Sequence, residues 1–127
     1  MTTFVMDSSA ALAILLGEAG SEAALALLPY SRCSTVNATE IITRLIDKGR
    51  SQEQAAEDFY SLGMTVVDFD EALSVHAGYL RPATRHKGLS LGDRACLAVA
   101  IRDNATAVTA DRSWADLEVG CKIEVIR

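Results

Sequence analysis

The chain has only two prolines among its 127 residues, which excludes collagen-like and proline-rich linker architectures. Its three cysteines, Cys33, Cys96 and Cys121, form no Cys-x-x-Cys pair. An odd, scattered set of thiols argues against a disulfide-stapled secreted scaffold. Histidine is scarce too. His76 and His86 stand alone, and neither has a partner at the spacing of a His-Glu-x-x-His site. No Gly-x-Ser-x-Gly or Walker pattern occurs, so a Ser-His-Asp hydrolase has little support. The longest helical apolar stretch, Ala10 to Leu16, is far short of the roughly 20 residues that span a bilayer. The opening residues, Met1 to Asp7, lack the basic region of a signal peptide. A soluble, cytoplasmic protein without membrane contact is expected. An excess of basic charge is also missing. Twelve basic residues face 17 acidic ones, for a net charge of −5 and a pI near 4.9. A non-specific nucleic-acid binder normally carries a basic face.

What is present is a core. Half of the residues are hydrophobic and 23% are charged, a balance that excludes intrinsic disorder. The length predicts one domain over residues 1–127, and a chain of this size buries enough surface to hold together unaided.

Strand-like and helix-like segments alternate. Thr3 to Met6 predicts a strand. Ser8 to Leu16 predicts a helix, with a serine cap in front and a Gly17 stop behind. Ser21 to Leu28 predicts a helix ended by Pro29, and Arg32 to Thr35 a short strand. Asn37 to Lys48 predicts a helix with Ile41, Ile42, Leu45 and Ile46 on one face. Ser51 to Leu62 opens with Ser51 and Gln54 at capping-box spacing. Met64 to Val67 predicts a strand, Asp70 to Leu80 a helix, and Arg81 to Ser90, with Pro82 and Gly88, a loop. Gly92 to Asp103 is apolar nearly all round, as a buried helix is. Ala105 to Thr109 predicts a buried strand, Ser113 to Leu117 a short helical turn, and Lys122 to Ile126 an edge strand. This order predicts an α/β fold with a mainly parallel central sheet and helices on both faces, a three-layer arrangement. In such sheets function gathers at the carboxyl ends of the strands.

Four acids fall at strand–helix junctions. Asp7 follows the first strand, and Asp111 stands two residues beyond Thr109. Glu40 and Asp93 each lie in the first turn of a helix. Four carboxylates with no histidine among them suit hard cations such as Mg²⁺ or Mn²⁺. Each acid also has a plainer use. Asp7 and Asp111 suit helix caps. Asn37 and Glu40 have capping-box spacing, and Glu40 can pair with Arg44 one turn on. Asp93 suits the helix dipole, although it opens a buried helix, a costly place for an unpaired charge.

The chain resembles the PIN domain, and within it the VapC-type toxin ribonucleases of bacterial toxin–antitoxin systems. The likeness is carried by Val5-Met6-Asp7-Ser8-Ser9-Ala10, by Asn37-Ala38-Thr39-Glu40-Ile41, by the run from Leu89 through Asp93 to Ala98, and by the run from Val108 through Asp111 to Trp114. The resemblance implies a PIN-like fold in which Asp7, Glu40, Asp93 and Asp111 bind Mg²⁺ or Mn²⁺ and cut RNA. It implies supporting roles for the hydroxyls of Ser9 and Thr109, with Asp116 as an extra or substitute acid. It implies hydrolysis by a metal-activated water, leaving 5′-phosphate and 3′-hydroxyl ends. It also implies a transfer RNA or ribosomal RNA target, a homodimer, and a cognate antitoxin laid along the apolar helices Ala10 to Leu16 and Ser21 to Leu28. Setting the four site acids aside leaves 13 acids against 12 bases, so most of the acidity is the site itself. Arg81, Arg85 and Lys87, with His86 beside them, are the candidate phosphate contacts.

Two other readings stand beside this one. A phosphatase or phosphoacceptor domain would use Asp7 as nucleophile, but Asp7-Ser8-Ser9 lacks a second aspartate and only Lys122 lies beyond Lys87. A catalytically silent PIN-like binding module would not need all four acids.

Overall fold

A computed structural model describes residues 2–127; Met1, where the expected domain begins, lies outside the described residues. The chain runs β1 (Phe4–Met6), α1 (Ser8–Leu16), α2 (Ser21–Leu27), β2 (Ser31–Ser34), α3 (Thr35–Asp47), α4 (Gln52–Ser61) and β3 (Thr65–Val67). It continues with α5 (Glu71–Tyr79), α6 (Arg81–Thr84), α7 (Leu91–Arg102), β4 (Thr106–Thr109) and β5 (Lys122–Val125). Three 3₁₀ turns, at Leu28–Tyr30, Arg85–Lys87 and Arg112–Trp114, complete the described elements.

The five strands form one sheet in the order β3-β2-β1-β4-β5, and every pairing is parallel. The chain builds outward from β1 to one side, then returns to build β4 and β5 on the other. The strand order therefore reverses beside β1, and the carboxyl ends of β1 and β4 flank the crevice that such a reversal opens.

Alternation along the strands divides the core. Val5 and Ala107 face α5 and α7, where Leu73, Ala77, Leu97 and Trp114 pack. Met6 and Val108 face the other way, toward Ala10, Ala13 and Ala24 of α1 and α2. Ala11, Ile41, Leu45, Ala55 and Phe59 join α1, α3 and α4. In α7, Ala95 through Ala100 are all buried, as its apolar sequence requires.

Several local expectations need correction. Asp7, not Ser8, occupies the N-cap of α1, and its side chain caps nothing. Helix α3 starts two residues earlier than its apolar face suggests. Ser34 is the cap, its Oγ accepting from the Asn37 N–H, so Asn37 and Glu40 form no capping box. The Arg81–Ser90 segment is largely helical, with Pro82 in the first turn of α6, where a missing N–H costs nothing. The turn expected at Ser113 begins at Arg112. The capping box at Ser51 and Gln54 forms as expected. Among the described residues no single helix is long and apolar enough to cross a membrane.

Candidate metal centre

Asp7 leaves the end of β1, where its backbone N–H still donates to the Val108 carbonyl at 2.8 Å. Its residue surface is 3% exposed. Both flanking hydroxyls turn to the same carboxylate oxygen. Ser9 Oγ donates to Asp7 Oδ2 at 2.6 Å and Thr109 Oγ1 donates to it at 3.0 Å. Each hydroxyl also accepts a backbone N–H, from Ala110 at 3.0 Å and from Asp111 at 3.1 Å. The carboxyl end of β4 thus holds one face of Asp7 in place.

Asp7 Oδ1 is buried and has no hydrogen-bond partner. Burial pushes the Asp7 carboxyl up from 3.8 to about 6; the Ser9 hydroxyl opposes this, the charge of Asp93 adds to it, Thr109 opposes, and Glu40 adds. A half-satisfied buried carboxylate beside two others of like charge is unfavourable unless a cation shares the crevice.

Asp93 sits at the third position of α7 and completes a capping box with Ser90: its Oδ2 accepts from the Ser90 N–H at 2.8 Å. The cap occupies one carboxylate oxygen. Glu40 stands one turn into α3, half-buried, with Oε1 accepting from Asn37 Nδ2 at 2.9 Å. Its partner is Asn37, not Arg44. Asp111 is exposed at the rim, and its Oδ1 caps the following 3₁₀ turn by accepting from the Ser113 N–H at 2.9 Å. Asp116 is paired with Lys87 at 2.7 Å.

Asp7, Glu40 and Asp93 therefore share one electrostatic neighbourhood, with Asp111 tied to it through Thr109. Among the described residues, no three His, Cys, Asp or Glu side chains are drawn closely enough together to ligate one ion. The donor chemistry nonetheless fits a hard divalent cation: carboxylate oxygens, one of them buried and unpartnered, and no nitrogen or sulfur ligand. The buried thiols are outside such chemistry. Burial, with the negative charge of Asp7 and then Glu40, raises Cys33 to about 12, and burial raises Cys96 well above the ordinary thiol range. Arg81 and Arg85 are exposed on the α6 segment, while Lys87 is engaged by Asp116.

The sequence matches the PIN domain over residues 4–119. The chain belongs to the PIN domain family. No curated protein matches it in sequence. In structure, this PIN domain is similar to a chain of the DNA-bound VapBC complex from Salmonella typhimurium, at a TM-score of 0.75 and 21% identity, covering 100% of each chain. It is also similar to a chain of VapBC2 from Rickettsia felis bound to promoter DNA, at 0.74 and 20%, covering 97% of this chain and 98% of that one. A chain of VapBC-5 from Mycobacterium tuberculosis, a member of the VapBC toxin–antitoxin family, aligns at 0.65 and 20%, covering 100% and 99%. At these identities the likeness is one of fold.

Two further residues line this PIN domain's acid cluster, Asn37 through Glu40 and Gly92 through Asn37. Asn37 and Gly92 stand in the motif runs, yet the sequence assigns Asn37 only a capping use and Gly92 only a helix start. The Asn-x-x-Glu spacing, which stacks two polar side chains on one helix face, was the available signal.

Proposed function

We propose that the chain is a metal-dependent endoribonuclease, the VapC-type toxin of a toxin–antitoxin pair, working as a single domain in the cytoplasm. The observation that carries this reading is the unpartnered, buried Oδ1 of Asp7, on a carboxyl that feels the like charges of Asp93 and Glu40. Asp7, Glu40, Asp93 and Asp111 would hold Mg²⁺ or Mn²⁺. A bound divalent ion supplies Lewis acidity and a water that ionises near neutral pH. Ser9 and Thr109 keep Asp7 Oδ2 occupied and leave Oδ1 as the oxygen open to a cation. Arg81 and Arg85 lie exposed on the α6 segment and would meet the RNA backbone. The acidity outside the site is slight, which suits recognition of a folded transfer or ribosomal RNA by shape and a few contacts.

The toxin would act as a homodimer and be silenced by an antitoxin segment laid along α1 and α2. Leu25 and Tyr30, 55% and 53% exposed, would be covered there.

The test is cleavage of total RNA by the purified chain with Mg²⁺, with Mn²⁺ and with EDTA, beside Asp93→Asn. Discrete fragments with 5′-phosphate ends are expected from the wild type with metal alone. Fragments ending in 2′,3′-cyclic phosphate, which need attack by the ribose 2′-hydroxyl, would overturn the mechanism.

A further inference from the structure

We propose that Asn37 is a positioning residue that holds the Glu40 carboxylate in the acid crevice, and that Gly92 supplies the clearance for it. The inference rests on the metal-site reading above and adds two residues to it.

Asn37 is fully buried in the first turn of α3. Its side chain has two N–H donors and one carbonyl acceptor, and all three functions are engaged. Nδ2 donates to Glu40 Oε1 at 2.9 Å and to the Gly92 carbonyl at 3.0 Å. Oδ1 accepts from Ser34 Oγ at 2.7 Å. This pattern fixes the amide orientation, since a flipped amide would set its oxygen against two acceptors. One side chain thereby ties the first turn of α3 to the first turn of α7, the turn that carries Asp93.

Glu40 has reason to leave. Asp7 repels it, and it is only half-buried, so solvent is within reach. The Asn37 amide opposes that escape while leaving Oε2 free. Gly92 makes the placement possible: a Cβ on Gly92 would run into the Glu40 carboxylate, meeting Oε2, Cδ and Oε1. Gly92 has no positive φ to account for it, so clearance is the reason for a glycine inside this helix turn.

The experiment is a double-mutant cycle on Mn²⁺ binding, read from the free-Mn²⁺ resonance, with circular dichroism confirming the fold. Asn37→Ala is expected to weaken Mn²⁺ binding about 10- to 100-fold, as loss of a ligand's supporting hydrogen bond does. In a Glu40→Ala background the same substitution should cost nothing further, because its effect passes through Glu40. An equal loss in both backgrounds, or none in either, overturns the inference. Should Asn37→Ala fail to fold, Gly92→Ala approaches the same contact from α7 and must show the same coupling to Glu40. Wild-type Mn²⁺ binding by both Glu40→Ala and Asp93→Asn would overturn the metal site and this inference with it. Loss in those two with normal binding in Asn37→Ala and Gly92→Ala overturns the inference alone.

Discussion

Lys87 Nζ lies 2.7 Å from Asp116 Oδ1, and the pair ties the α6 segment to the loop that follows β4. The Lys87 ammonium, with the His86 charge behind it, holds the Asp116 carboxyl below its usual range. Asp116 is therefore a counter-ion to a basic segment. Asp116→Asn is expected to leave Mn²⁺ affinity unchanged, whereas Asp111→Asn weakens it. The same Asp116→Asn change frees Lys87 for phosphate. RNA affinity should rise at low salt, and the slope of log affinity against log salt should steepen by about one contact. A fall in Mn²⁺ affinity for Asp116→Asn would reverse the assignment of the fourth acid.

Asp7 gives the metal-free protein a pH-dependent stability. Its carboxyl stands at about 6 in the fold against 3.8 free, so the folded state holds the proton more tightly. Below about pH 4 both states are protonated and the site costs nothing. Between about 4 and 6 stability falls as pH rises, and above 6 the full cost of about 3 kcal/mol is present. Urea midpoints from pH 4 to 8 should show this fall. Asp7→Asn should flatten it. Saturating Mn²⁺ at 100 times its dissociation constant should return about 2.7 kcal/mol at neutral pH, and less at pH 5, where protons compete.

Asp93 combines a cap with a charge, and two substitutions separate them. Asp93→Asn keeps an oxygen to accept from the Ser90 N–H, so its unfolding free energy should stay within about 0.5 kcal/mol of wild type. Asp93→Ala loses the cap and about 1 kcal/mol. Both should abolish RNA cleavage. Full activity in Asp93→Asn would reduce Asp93 to its structural role.

The two hydroxyls on Asp7 Oδ2 both lower its proton affinity, Ser9 more than Thr109. Ser9→Ala and Thr109→Val should each move the Asp7 titration above 6, with the larger move for Ser9. Carbon-13 shifts of the Asp7 carboxyl would read this directly.

Much of this arrangement was legible in the sequence because period and punctuation agreed. The all-apolar run through α7 and the Ser51–Gln54 box left little choice of structure. The parallel order followed from alternation of strand and helix. Where two signals competed, the sequence was ambiguous. Ser34 and Asn37 are both good caps, and the winner is set by where β2 ends. Pro82 marks a break in most contexts but is harmless in a first turn. The acids themselves were legible by position. Their partners were not: the bonds from Asn37 to Gly92, from Lys87 to Asp116 and from Thr109 to Asp7 depend on how distant elements meet, which no local pattern records.

The bond from Thr109 to Asp7 spans 102 residues, and that separation sets a clock. At a synthesis rate of about 5–20 residues per second, Asp7 waits about 5–20 s on the ribosome for its partner to be made. The nascent chain carries Asp7 and Glu40 well before β4 (Thr106–Thr109) exists to seat the first of them. The seat of Asp7 is therefore completed only near the end of synthesis, after most of the chain has been made.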